Sequence, residues 1–199
     1  MAFYNNVIAG AAGAGGDAGY KIERSLRFNR PDTPSLSKTL SAGNQTTWTW
    51  SAWVKRADVT TTQSLFSCYA GTDNNDGYVN ILFNAQNKLS FSGWSGSYAI
   101  TNREFRDTSA WYHIVIAVDQ TQSNASDRIK IYVNGVAETF STYSATRSSY
   151  PISSAITHNI GSNAYYANTT NKLQGYLAEI HFVDGQQLAA TDFGEYDSN

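Results

Sequence analysis

Apolar and polar residues alternate with a period of two in several short segments of this chain, and no long stretch keeps a helical period. Trp111 to Asp119 is rich in β-branched and aromatic residues, as a strand should be. Tyr112, Ile114, Ile116 and Val118 fall on one face, and Val115 and Ala117 make the other face apolar too, so this strand is expected to be covered on both sides. From Arg128 to Val133 the alternation is strict, with Ile129, Ile131 and Val133 opposite Arg128, Lys130 and Tyr132. Asn134-Gly135 follows at once. That pair tolerates the positive φ angles of a type I′ turn, so it predicts a tight hairpin, with Val136 to Phe140 as the returning arm.

Other segments read the same way. Ser25 to Asn29 opens the β region, and Pro31 and Pro34 punctuate a turn. In Trp48 to Lys55, Trp48, Trp50, Ala52 and Val54 share a face opposite Thr49, Ser51, Trp53 and Lys55. Leu65 to Ala70 is a strand ended by the turn-rich GTDNNDG at 71–77. Tyr78 to Phe83 and Lys88 to Trp94 form a hairpin around Asn84 to Asn87, and Gly93 to Tyr98 reads as a loop with two exposed aromatics. Residues 141–155 read as an irregular connection, Thr157 to Ser162 as a short strand, and Asn163 to Asn171 as a polar loop. In Gly175 to Val183, Tyr176, Ala178, Ile180 and Phe182 are expected on one face and Leu177, Glu179, His181 and Val183 on the other. Leu188 to Phe193 has room for a single helical turn. Many short strands with frequent turn signals predict an all-β, two-sheet antiparallel sandwich of jelly-roll type, with Trp48, Trp50 and Trp111 in its core.

Composition narrows the partners. Charged residues make up 15% of the chain, below the roughly 25% usual for soluble domains, and the net charge is −2 without a basic cluster. Nucleic acid is therefore not an expected partner. The longest apolar run, Ile114 to Val118, is too short to span a bilayer, so no membrane insertion is expected. The opening MAFYNNVIAG shows no signal-peptide pattern. A single cysteine, Cys68, fits synthesis in a reducing cytoplasm and reads as a buried structural thiol.

The chain divides into residues 1–20 and 21–199. Phe3, Tyr4, Val7 and Ile8 form a small apolar patch, and residues 10–19 hold five glycines and four alanines. That composition suits a flexible arm rather than a helix or strand. It reads either as a disordered tail or as an anchor that orders against a neighbouring subunit.

SLRFN, WTWSAWVK, WYHIVIAVD, IKIYVNG and GYLAEIHFVDGQQL together resemble the laminin-G-like branch of the concanavalin A-like lectin/glucanase superfamily, over about residues 22–193. The Trp-x-His before a central strand and the later Tyr-Val-Asn-Gly fall on Trp111, His113, Tyr132, Val133, Asn134 and Gly135. The resemblance implies the concanavalin A-like sandwich. It leaves function open, because lectins, adhesion modules and hydrolases share the fold. The opening segment with IERSLRFN also resembles structural proteins of tailed bacteriophages. That resemblance implies a virion component made in the bacterial host cytoplasm, on a tail fibre or as capsid decoration. It further implies an arm docked on other virion proteins, a homo-oligomer, and cell-surface glycans as ligands. The sequons at Asn44, Asn124 and Asn168 would then be ordinary loop chemistry. In those phage proteins a further strand usually follows the segment matching FGEYDSN, which leaves coverage of the sheet edge open.

Catalysis is not expected. A glucanase of this superfamily needs paired carboxylates on one strand, and Glu179, His181 and Asp184 do not supply that spacing. His113, His158 and His181 read as packed or hydrogen-bonding histidines, without zinc-ligand spacing. Nothing resembles a nucleophile elbow. No cofactor is expected. For calcium, Asp73, Asn74, Asn75 and Asp76 supply hard oxygens, although DNNDG is also good turn chemistry and that reading is preferred. For glycan binding, aromatic rings beside amides on rim loops are the useful parts. Trp94 and Tyr98, with Asn163, Tyr165 and Tyr166, fit that description. The competing reading is that they cover the core edge or fill a subunit interface.

Overall fold

The computed structural model describes residues 22–71, 77–94, 96–165 and 171–194. The strands in chain order are β1 (Leu26–Phe28), β2 (Leu36–Thr39), β3 (Thr47–Arg56), β4 (Gln63–Tyr69), β5 (Tyr78–Phe83), β6 (Lys88–Gly93), β7 (Gly96–Glu104), β8 (Tyr112–Asp119), β9 (Ile129–Val133), β10 (Val136–Ala137), β11 (Phe140–Tyr143), β12 (Thr157–Ile160) and β13 (Gly175–Asp184). They form two antiparallel sheets. One has the order β1-β13-β3-β8-β9-β10 and the other β11-β7-β6-β5-β4-β12-β2. Among the described residues helix is limited to short 3-10 turns, and no helix is long and apolar enough to cross a membrane.

The two inner faces meet as the alternation requires. Residues paired across antiparallel strands share a face. Trp48, Trp50, Ala52 and Val54 of β3 pair with Val118, Ile116, Ile114 and Tyr112 of β8, and nearly all are fully buried. Ile129, Ile131 and Val133 continue that face through β9. Rings bridge the sheets: Trp48 meets Phe91 edge-on at 5.5 Å, and Phe66 lies 6.3 Å from Trp50 and 5.9 Å from Phe182. Val115 and Ala117, on the other face of β8, are also fully buried. The segment after β13 packs on that side of the sheet. Thr49 donates to the Gln186 carbonyl and accepts from the Leu188 amide, and the Phe193 ring reaches His113. The turn between β9 and β10 has φ of 50° at Asn134 and 76° at Gly135, the type I′ geometry expected of Asn-Gly.

Four expectations need correction. Val136 to Phe140 is not one returning arm: β10 ends at Ala137, and Phe140 begins β11 in the other sheet. The 93–98 region is a tight reversal, with β7 beginning at Gly96 and Gly93 paired to Gly96. Trp111 is only half-buried; it precedes β8 and packs 6.3 Å from Tyr176 at the surface. In β13 the register shifts between Ala178 and His181, where Glu179 takes φ of 47°. This β-bulge puts Leu177 and Phe182 on the same face, opposite Ala178, His181 and Val183.

Candidate functional site

The outer face of the seven-stranded sheet carries the chemistry. The alternation that buries Phe66 and Cys68 of β4 turns Ser67 and Tyr69 outward. Register then sets two rows across the strands. Tyr69 pairs with Tyr78 at one end. Beside it runs a row of small polar residues: Ser37, Asn159, Ser67, Asn80, Ser92 and Ser97. In β6, Leu89 and Phe91 point into the core while Ser90 and Ser92 face out. Ser90, Ser92 and Ser97 form a triangle of hydroxyls, with oxygens 2.7 to 3.0 Å apart. The Asn80 amide donates to Ser64 Oγ at 3.0 Å, and its Oδ1, buried in the same face, has no partner among the described residues.

The turn after β12 folds back over this row. Ser67 Oγ donates to the Ser162 carbonyl and accepts from the Ala164 amide. Asn163 is buried; its amide donates to the Tyr78 hydroxyl at 2.7 Å, and its Oδ1 accepts from the Tyr165 amide at 3.0 Å. These bonds hold Tyr165 at the centre of a ring cluster. Its centroid lies 4.7 Å from Trp94, 5.0 Å from Tyr69 and 6.0 Å from Tyr78, all edge-to-face. Such pairs contribute about 0.5–1.5 kcal/mol each beyond burial. Trp94 remains 38% exposed, which makes it the accessible platform of the cluster. Ser92 and Ser97 beside it are half-buried.

The structure thus brings Trp94 and Tyr165 together and uses Asn163 to position them. It removes Asn163 and Tyr98 from the rim, correcting the expectation that both face a ligand. Tyr98 is buried, with its ring 5.0 Å from Phe91 and 4.9 Å from Tyr150, because strand pairing from Gly96 onward aims it into the core. Tyr166, Asp73, Asn75, Asp76, Phe3, Tyr4, Val7 and Ile8 lie outside the described residues. Sequence reasoning missed Tyr69, Tyr78, Asn80 and the three serines. The signal was the Leu-Ser-Phe-Ser alternation of β6, where one face is apolar and the other uniformly small and polar.

Two other clusters have structural roles. On the outer face of the six-stranded sheet, Ser51 Oγ lies 2.9 Å from His113 Nε2, and Trp53 stacks on the imidazole at 5.0 Å. Burial, reinforced by nearby His181, pushes His113 down to about 4. Ser51 is itself buried, and Glu179 pairs with His181 at 3.5 Å. This Ser–His contact therefore holds strands together and offers no exposed nucleophile. At one end of the sandwich, Arg30, Pro31, Ala57, Asp58 and Gln174 line an open hollow of about 420 Å³. Burial pushes Asp58 up, but hydrogen bonds from Thr60 and Arg30 outweigh it and hold the carboxyl at about 2. Gln174 accepts from the Arg30 amide, so the hollow's polar groups satisfy one another. Among the described residues no group of three His, Cys, Asp or Glu side chains is placed to hold a metal ion.

A sequence model described as the concanavalin A-like lectin/glucanases superfamily matches residues 32–191. No curated protein matches the chain by sequence. Solved structures that share its fold include a pentraxin and two modules of glycosidases. Domain 4 of AbnA, a GH43 extracellular arabinanase from Geobacillus stearothermophilus, in complex with arabinotriose, is 17% identical, with a TM-score of 0.62 over 91% of this chain and 82% of that one. The heptameric SAP-like pentraxin of Limulus polyphemus is 18% identical, with a TM-score of 0.60 over 85% and 79%. The CBM40 module of the Ruminococcus gnavus IT-sialidase, bound to α2,3 sialyllactose, is 12% identical, with a TM-score of 0.57 over 81% and 96%.

Proposed function

Because the chain belongs to the concanavalin A-like lectin/glucanases superfamily, we propose that it is a non-enzymatic, lectin-like module that binds glycans on the outer face of its seven-stranded sheet. The observation that carries this reading is the Trp94–Tyr165 pair standing beside the Ser90–Ser92–Ser97 hydroxyls. An indole face buries the apolar face of a sugar ring, and neighbouring hydroxyls exchange hydrogen bonds with its substituents. With Trp94 the one accessible platform of this cluster among the described residues, single-site affinity should be weak. Binding by purified protein, measured by calorimetry or on a glycan array, tests the proposal: Trp94→Ala should abolish it, and equal binding by the variant sinks it.

We further propose that the module works as a bacteriophage virion surface component, present in several copies and anchored by residues 1–20. The likeness of the opening segment to phage structural proteins supports this, as does an apolar lateral edge. Leu26 on β1 is 47% exposed and Leu36 on β2 is 45% exposed. These edge strands lie on one side of the sandwich, where Phe28 packs against Gly161 beyond β12, and the chain enters the fold there. Several copies would compensate for weak single sites. Mass spectrometry of purified virions and deletion of residues 1–20 test this part. The deletion should leave the β domain folded and abolish incorporation. A free-standing carbohydrate-binding module is the alternative, favoured if the monomer binds sugar and virions lack the chain. A glycan depolymerase would instead release reducing ends from host polysaccharide.

A further inference from the structure

We infer that the ligand of the Trp94 face is an uncharged glycan and that sialylated or uronate-bearing chains are excluded; this rests on the glycan reading above. The inference comes from the charge of every element that builds the face. β4, β5, β7 from Gly96 to Thr101, β11, β12 and the turn through Tyr165 contain no lysine or arginine. Lys38 of β2 pairs with His158 on the opposite face, four strands from β6. Arg147 lies on the core side over the buried Tyr98 and Tyr150 rings, donating to the Ser149 carbonyl. The one base in β6, Lys88, begins that strand opposite Glu104, about 20 Å from Trp94 at the rise of an extended chain. Arg103 and Arg106, at the same far end, are paired with Glu138 and Glu104. His158 of β12 is buried on the inner side, stacked on Phe66 at 5.6 Å with its Nδ1 against the Ile156 carbonyl. By sequence, residues 72–76 and 166–170 contain no lysine or arginine.

A sugar carboxylate brought against Trp94 would lose water without gaining a cation. Recognition of such groups ordinarily relies on the bidentate fork of arginine, and an unpaired charge against a desolvated surface is strongly disfavoured. The hydroxyl triangle suits neutral ligands, because serine hydroxyls donate and accept equally well. The exclusion should therefore come from charge and not from shape.

The test uses the full chain and its Trp94→Ala variant on an array of matched glycans that differ only in a terminal sialic acid or in a uronate against its carboxyl-reduced form. Each is probed with added calcium and with chelator. Trp94-dependent signals are expected on neutral members alone, with acidic partners at least tenfold weaker and neutral binding unchanged by added salt. Trp94-dependent retention of acidic members, in either calcium condition, overturns the inference and leaves the glycan reading standing. Absence of any Trp94-dependent signal overturns both.

Discussion

Gly93→Ala is expected to destabilise the fold without touching a ligand contact. Gly93 ends β6 with its α-carbon against the Tyr98 ring. A Cβ there would sit 2.5 Å from Tyr98 Cζ and 3.1 Å from Cε2, with the hydroxyl closer still, where 3.0 Å is the floor for real Cβ contacts. Tyr98 cannot swing away cheaply, because Phe91 and Tyr150 flank its ring at 5.0 and 4.9 Å. Overpacking of this kind costs about 1–3 kcal/mol. The loss of backbone freedom in the unfolded chain returns about 0.4–1 kcal/mol. At about 2–4 °C per kcal/mol for a chain of this size, the melting temperature should drop by a few degrees. Calorimetry or thermal circular dichroism reads this directly. Adding Tyr98→Phe removes the closest atom but leaves Cζ in place, so it should restore part of the loss. A Gly93→Ala variant as stable as the parent would mean the ring does not cover Gly93, and Tyr98 would return to the candidate rim.

Two further predictions concern buried groups. Arg56 is fully buried and stacked on Phe83, and it donates through Nη1 to the Phe105 carbonyl, while Nε and Nη2 have no acceptor among the described residues. Burial pushes its guanidinium down to about 10. Arg56→Met should be neutral or stabilising by up to about 4 kcal/mol in urea titration, whereas a loss of about 3 kcal/mol or more would show the charge to be well compensated. His113 is held neutral in the fold down to about pH 4, while the unfolded chain takes up its proton near the ordinary 6.5. Between those values the unfolded state binds more protons, so stability should fall as pH drops through that window. His113→Asn should flatten the dependence, and an equally steep profile in the variant would assign it elsewhere.

How much could be read from the chain alone follows from the range of the interactions. The β8–β9–β10 hairpin was legible because alternation and Asn134-Gly135 are local signals that the fold preserves. Trp48 and Trp50 were legible for the same reason. Trp94 and Tyr165 were recognisable as aromatic loop residues, but their contact depends on Asn163, Ser67 and Tyr78, which lie far apart in sequence. Tyr98 was misassigned because the 93–98 segment reads as a loop, whereas β7 already begins at Gly96 and the register shift opposite Phe91 and Ser92 leaves Tyr98 as an extra, inward-facing residue. The β13 bulge did the same to Phe182, since Glu179 in a left-handed conformation carries no local sequence mark.

Indole resonances offer the most direct measurement of where a ligand sits. The chain has five tryptophans: Trp48 and Trp50 in the core, Trp53 and Trp111 on the six-stranded side, and Trp94 alone in the Tyr165 cluster. Titrating a neutral oligosaccharide into labelled protein should move the Trp94 indole signal and leave the other four in place. A shift confined to Trp53 or Trp111 would put recognition on the opposite sheet and contradict the account.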